Sequence, residues 1–373
     1  MDDLLAAAGR RHGDMVERLR VLVTHETPAG SVPHLAAAAD LLSRWGSDAL
    51  GREPERVADE GPPHLLWAAE DQRVLLLAHF DTVWPAGTVR AWPFTVDGDE
   101  ASGPGVCDMK GGIVQLLTAL ELLGATAHVG LLLTADEETG SVTSRKLIER
   151  EARRSGAVLV CEPSTPDGDL KVARKGGSVY RLSVLGRAAH AGVEPHKGVN
   201  ATVEAAHQIL ALQDIPATGT SVTPTLMTAG TTTNTVPERA TLTVDVRAWT
   251  ADELHRVDRA IRALTPHHPE AALSVDGGVN RYPMTADVAG SLLDLAVATA
   301  VELGIEPPGG AHVAGASDAN FTAGLGVPTL DGLGAVGDGS HARTEHIDLR
   351  RMPERTALLA GLIARLTRKS TMD

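Results

Sequence analysis

RVLLLAHFDTV, residues 73–83, decides the fold class. Its first six residues form an apolar run without alternation, the pattern of a strand buried on both faces. His79 and Asp81 stand immediately beyond the end of that run. HLLWA (64–68), HVGLLL (128–133) and AVLVC (157–161) read the same way, each bounded by polar turns. Between them, GGIVQLLTALELLG (111–124) is a long apolar helix closed by Gly124. Strands alternating with helices predict an α/β fold, a mostly parallel sheet flanked by helices. Upstream, Asp3–Val23 and Val32–Trp45 carry helical spacing and are separated by a break at Pro28 and Gly30.

The middle of the chain has a different pattern. GSVYRLSVLG (177–186) and ATLTVDVRAW (240–249) alternate apolar and polar residues, as strands with one open face do. NATVEAAHQILAL (200–212) and ADELHRVDRAIRAL (251–264) read as helices. Ser221–Ala229 adds a strand and AALSVD (271–276) closes the series, giving the order β-α-β-β-α-β. An inserted α+β, ferredoxin-like domain is therefore expected at residues 170–282. Residues 1–169 and 283–373 form the domain that it interrupts, ending in a helix at Arg350–Thr367.

Composition narrows the functional classes. The 373 residues include 34 Lys and Arg against 48 Asp and Glu, a net charge of −14. That balance argues against a nucleic-acid partner, which needs a basic surface to displace counterions. No apolar run approaches the ~20 residues of a membrane span. The start, MDDLLAAAGRR, is acidic where an export signal is basic, so a cytoplasmic protein is expected. Two cysteines, Cys107 and Cys161, make no disulfide framework.

The polar residues fall at a telling place. His79 and Asp81 follow one strand, Glu137 and Glu138 a second, and Glu162 a third; Asp108 precedes the apolar helix. In open α/β sheets, ligands bind beyond the carboxyl ends of the strands. So many carboxylates at one edge would repel one another, and divalent cations remove the difficulty. Imidazole with carboxylates suits zinc, with manganese or cobalt as alternatives. Asp81, two positions beyond His79, is placed to hold the imidazole through its carboxylate. Taken singly, each element has a plainer explanation. A His-x-Asp arises by chance, and a Glu pair suits a solvated helix start. Cys107 and Cys161, beside Asp108 and Glu162, read either as soft metal ligands or as small buried fillers. The metal reading rests on the set.

HFDTV (79–83), GPGVCDMKGG (103–112), TADEETGS (134–141), CEPS (161–164) and GSHARTEHID (339–348) resemble the motifs of the co-catalytic dizinc exopeptidases and deacylases. The resemblance spans essentially the whole chain and runs towards the branch of glutamate carboxypeptidase, acetylornithine deacetylase and succinyl-diaminopimelate desuccinylase. GRAAHAGVEPHKGVNA (186–201) resembles that family's dimerisation segment. It implies a zinc exopeptidase-like fold whose insertion serves as dimerisation and lid domain, in a homodimer.

The same resemblance implies individual duties. Asp108 would bridge two zinc ions per subunit. His79 and Glu162 would complete one site, Glu138 and His341 the other. Glu137 would be the general base, and a cis peptide bond would follow Asp108. His190 would stabilise the oxyanion from the partner subunit, assisted by Asn234. Arg281 resembles the position that would hold the substrate carboxylate. By charge alone Arg247, Arg174 and Lys175 are further candidates, Arg247 reading equally as a strand-face partner of Asp245 or Glu238. The implied reaction is cleavage of an amide bond beside a free carboxylate in a small peptidyl- or acyl-amino acid. The rivals are an N-acyl-amino-acid deacylase and a non-catalytic binding protein on the same fold. LKVARKGGS (170–178) does not match the glutamate carboxypeptidase pattern closely, so the implied side-chain preference is left open.

Overall fold

The computed structural model describes residues 3–58, 61–124 and 126–368. The chain divides into two compact units. One runs through Ala173 and resumes at Thr285–His312 and from Ser317; the other comprises Arg174–Met284 and Val313–Ala316.

The first unit is built on a six-stranded sheet in the spatial order Glu55–Val57, His64–Trp67, Val129–Thr134, Val74–His79, Ala157–Val160 and Thr329–Leu330. The last four strands are mutually parallel, with His79 paired to Thr134. The first two run antiparallel at one edge. Every residue of Val74–His79 and Val129–Thr134 is buried, as their unbroken apolar runs require. The helices Val32–Leu50, Gly111–Leu123 and Met352–Thr367 bury apolar faces in this unit, and the last packs on Gly111–Leu123. Gly124 closes its helix in the left-handed region at φ 64°, the conformation that favours glycine there.

Two sequence expectations change here. The helix expected at Asp3–Val23 is interrupted: Leu4–Arg10 and His12–Thr24 meet at Arg11, whose amide bonds back to Ala8 while its side chain reaches Asp14 and Glu121. A small antiparallel sheet of Gly337–Asp338, His346–Asp348, Glu100–Ser102 and Thr95–Asp97 carries no readable pattern, because strands of two or three residues show no periodicity.

The second unit is an antiparallel sheet in the order Ser221–Ala229, Arg239–Ala248, Gly176–Leu185 and Ala272–Arg281. The helices Ala201–Leu212 and Ala251–Arg262 complete the β-α-β-β-α-β order. Alternate residues Leu242, Val244 and Val246 face inward with Tyr180, Leu182, Leu254, Val257 and Ile261. Asn200 caps the first helix by accepting from the Thr202 and Val203 amides, and Thr250 caps the second through Glu253. At the margin of the unit, the backbones of Arg174 and Met284 exchange a pair of hydrogen bonds of 3.0 and 3.1 Å.

Candidate metal centre

Every residue that the sequence nominates as a metal ligand lies in the first unit. His79 ends its strand, Asp108 lies in the turn before Gly111–Leu123, Glu138 in the short 3-10 turn Glu137–Thr139, and Glu162 just past Ala157–Val160. His341 comes from the loop between two short strands. These segments converge on one carboxylate. Asp108 Oδ1 lies 3.2 Å from His79 Nε2, which is itself 3.5 Å from Glu162 Oε1. Asp108 Oδ2 lies 3.5 Å from His341 Nε2, which is 3.3 Å from Glu138 Oε2. One aspartate thus faces two separate His–Glu pairs. Ligand atoms of His79, Asp108 and Glu138 all fall within 4.8 Å of one another.

The surroundings fix how these groups point. His79 Nδ1 donates to the Asp81 carbonyl at 3.1 Å, so Nε2 is the nitrogen left to face Asp108 and Glu162. The Asp81 carboxylate, expected to hold the imidazole, stands 3.5 Å from Nδ1 and accepts instead from the amides of Glu137 (3.2 Å) and Glu138 (3.0 Å). The main chain of Asp81 orients the ring, and its side chain braces the Glu137–Glu138 turn. Asp136 anchors the same turn from the other side, accepting from the Thr143 and Ser144 amides. The peptide bond after Asp108 is cis, as the family resemblance implies. His341 has φ 66°, a left-handed conformation uncommon for a non-glycine residue and concentrated at functional sites.

Electrostatics make the cluster receptive to cations. Burial works against a charged His79, yet Asp108, Asp81 and Glu162 hold its pKa well above the usual imidazole value. Hydrogen bonds to Asp108 and Glu138 raise His341 to about 10. Burial would push Asp108 up, but the two imidazoles hold it well below the carboxylate range. Burial raises Glu138. Glu138 Oε1 is buried with no hydrogen-bond partner among the described residues. Two imidazoles and three carboxylates, oriented in this way, fit borderline divalent ions of the zinc type. Cys107 and Cys161 are buried, and neither belongs to the group of ligand atoms formed by His79, Asp108 and Glu138 among the described residues.

Glu137, half-buried, sits beside Glu138 on the turn that Asp81 braces. His190, Asn234, Arg247 and Arg281 belong to the second unit. His190 Nδ1 accepts from the amides of Gly192 and Val193, both at 3.1 Å, which leaves Nε2–H as a donor. The Asn234 carbonyl accepts from Ala191 at 2.8 Å, tying the two segments together. Arg247 and Arg281 both pair with Gly177, from opposite sides, Arg281 just past a bulge that interrupts its strand after Val279. Arg247 is held by Asp245 at 2.9 Å. Sequence reasoning missed Glu345, a fully buried carboxylate behind the Asp108 turn, although it stands only four residues beyond His341 in a quoted motif.

Comparison with known proteins gives the family. A model described as peptidase family M20/M25/M40 matches residues 75–365. The chain belongs to that family. Over 381 residues it is 33% identical to carboxypeptidase G2 of Pseudomonas sp. (strain RS-16), covering 96% of this chain and 91% of that protein. It is 30% identical to the succinyl-diaminopimelate desuccinylase of Alkalilimnicola ehrlichii, covering 85% and 90% of the two chains. Among solved structures, the M20 family metallo-carboxypeptidase Sso-CP2 from Sulfolobus solfataricus shares the fold, with a TM-score of 0.75 at 16% identity over 94% of this chain and 98% of that one. The chain is accordingly an enzyme, a metal-dependent hydrolase of the metallopeptidase and amidohydrolase family. Among the described residues, no helix is long and apolar enough to cross a membrane.

Proposed function

We propose that the enzyme cleaves an amide bond adjacent to a free carboxylate, acting as a carboxypeptidase on small peptidyl- or acyl-amino acids. The observation that carries this reading is the single Asp108 carboxylate set between two His–Glu pairs, with Glu137 alongside. His79, Asp108 and Glu162 would hold one ion, and Asp108, Glu138 and His341 a second, with zinc preferred over manganese or cobalt. Bound there, divalent cations supply the Lewis-acid charge that polarises a carbonyl and acidifies water.

The remaining work falls to side chains. Glu137 accepts the proton of the attacking water and returns it to the leaving nitrogen, acting as general base and then general acid. Asp81 positions Glu137 through its amide. His190, with Nε2–H fixed as a donor, stabilises the oxyanion from a second copy of the chain in a homodimer, with Asn234 assisting. Arg281 takes the substrate carboxylate. Arg247, on the neighbouring strand but committed to Asp245, adds positive field there. In this reading residues 170–282 form the dimerisation and lid domain, and residues 1–169 and 283–373 the catalytic domain.

Relatedness to desuccinylases supports a second reading, an N-acyl-amino-acid deacylase, in which the acyl side rather than the amino-acid side is selected. Turnover of a panel of dipeptides and N-acyl amino acids, with metal removed and restored, tests both. Chelator-reversible cleavage that varies with the residue bearing the free carboxylate supports the carboxypeptidase. Cleavage confined to one acyl group supports the deacylase. Turnover indifferent to chelation overturns the metal reading.

A further inference from the structure

Glu345 lies on the far side of the Asp108 turn from His341, and its carboxylate is fully buried. Four donors reach it. Oε1 accepts from the amides of Cys107 at 2.9 Å and Asp108 at 3.0 Å; Oε2 accepts from the amide of Gly105 at 3.0 Å and from Trp84 Nε1 at 2.9 Å. Burial raises the pKa of this group, and the two N–H donors aimed at each oxygen act against that and favour the carboxylate. Glu345 is itself fixed at both ends of its residue. Its amide donates to Ala342, and its carbonyl accepts from Ser102 Oγ at 3.0 Å.

Chain position gives this clasp its meaning. Glu345 and His341 share one tight loop, whereas Asp108 comes from a turn more than two hundred residues earlier. No strand pairing joins Asp108 directly to His341. We infer that Glu345 is a positioning residue: by gripping three consecutive-turn amides it sets the Asp108 carboxylate at a fixed spacing from His341, and so prepares the half of the centre made by Asp108, Glu138 and His341. The inference rests on the proposed two-ion reading. The other half shares Asp108 but depends less on Glu345, because His79 ends a strand of the central sheet and Glu162 follows the neighbouring one.

Glu345→Gln tests this while keeping shape. The Gln amide nitrogen must then confront two N–H donors at one end of the clasp, so its grip fails by donor–donor mismatch. Cobalt titrated into metal-free protein, followed by its visible spectrum and by competition with a chelator, reads the ions directly. Wild type should take up two. In Glu345→Gln the ion held with His341 should bind at least ten-fold more weakly, the scale set by groups that orient metal ligands, and the other, which shares Asp108, should be weakened distinctly less. Glu345→Asp should recover part of the loss. Trp84→Phe, which removes one donor and leaves the carboxylate, should weaken the same ion only a few-fold, and it keeps the question answerable should Glu345→Gln fail to fold. Two ions bound with wild-type affinities in Trp84→Phe and in a folded Glu345→Gln would overturn the inference, as would equal weakening of both ions. A wild-type protein that takes up no cobalt would instead overturn the two-ion reading.

Discussion

Glu137 and Glu138 are neighbours in sequence, yet only Glu138 shares the cluster of ligand atoms around Asp108. Glu137→Gln should therefore keep metal uptake while lowering kcat by about a hundred- to ten-thousand-fold, the range for loss of a general base. Metal analysis beside steady-state kinetics checks it, and near-normal turnover would place the base elsewhere. Asp81→Ala should behave differently. It strips both amides of the Glu137–Glu138 turn of their acceptor, so metal affinity itself should fall about ten- to a hundred-fold in chelator competition. At this scale the sequence was informative about residue types and mute about main-chain partners. His79, Glu138 and Glu162 stood out because they follow apolar runs and Asp108 because it precedes an apolar helix, whereas His341 entered only through the family resemblance. That the Asp81 carbonyl, rather than its carboxylate, bonds the imidazole depends on the bend after His79, which no spacing encodes. Glu345 was invisible for a related reason: its partners are backbone amides, and amides carry no sequence signature.

Elements that bury long faces were read with nearly their observed limits, because periodicity needs length to register. The helix read at 111–124 spans Gly111–Leu123, and the strand read at 73–78 spans Val74–His79. Glycine within the first of these has a packing cause. A Cβ on Gly112 would overlap the Cys161 carbonyl oxygen and come within 3.3 Å of Gly334 Cα. Gly112→Ala should thus destabilise by about 1–3 kcal/mol, as overpacking does, although alanine favours helix by about 1 kcal/mol elsewhere. Urea unfolding of the metal-free protein measures the sign. In the second unit, Glu204 on Ala201–Leu212 accepts from the His267 and His268 amides, both at 2.8 Å. Burial alone would raise its pKa, but those amides and Gln208 lower it. A carboxyl with a depressed folded-state pKa adds stability above its unfolded pKa and loses it as pH falls. Glu204→Ala should therefore cost about 1–3 kcal/mol near neutral pH, and the difference from wild type should shrink below about pH 4.

At the scale of the whole molecule, the two units carry separate cores, and every candidate ligand belongs to the first. Ligand binding stabilises only the structure that binds, by about 4 kcal/mol at a thousand-fold excess over Kd. Calorimetry should then resolve two transitions, of which chelation lowers one and spares the other. A single transition moving as a whole would mean that the units melt together. The α/β class and the β-α-β-β-α-β order were legible from strand patterning, since a strand buried on both faces and a strand with one wet face read differently. The antiparallel edge at His64–Trp67 was not, because strand direction leaves no trace in composition.

The backbone clasp between Arg174 and Met284 bears on how such a chain is put together. Antiparallel residues that exchange both bonds have Cα atoms about 5.5 Å apart, a gap that one or two residues of about 3.8 Å each can span. More than a hundred residues therefore leave and re-enter the polypeptide between two backbone neighbours, while Val313–Ala316 join the same unit as a separate short segment. A gene could lose that passage, or trade it for another of unrelated length, with a splice no longer than a tight turn, leaving only the short Val313–Ala316 segment without its neighbours.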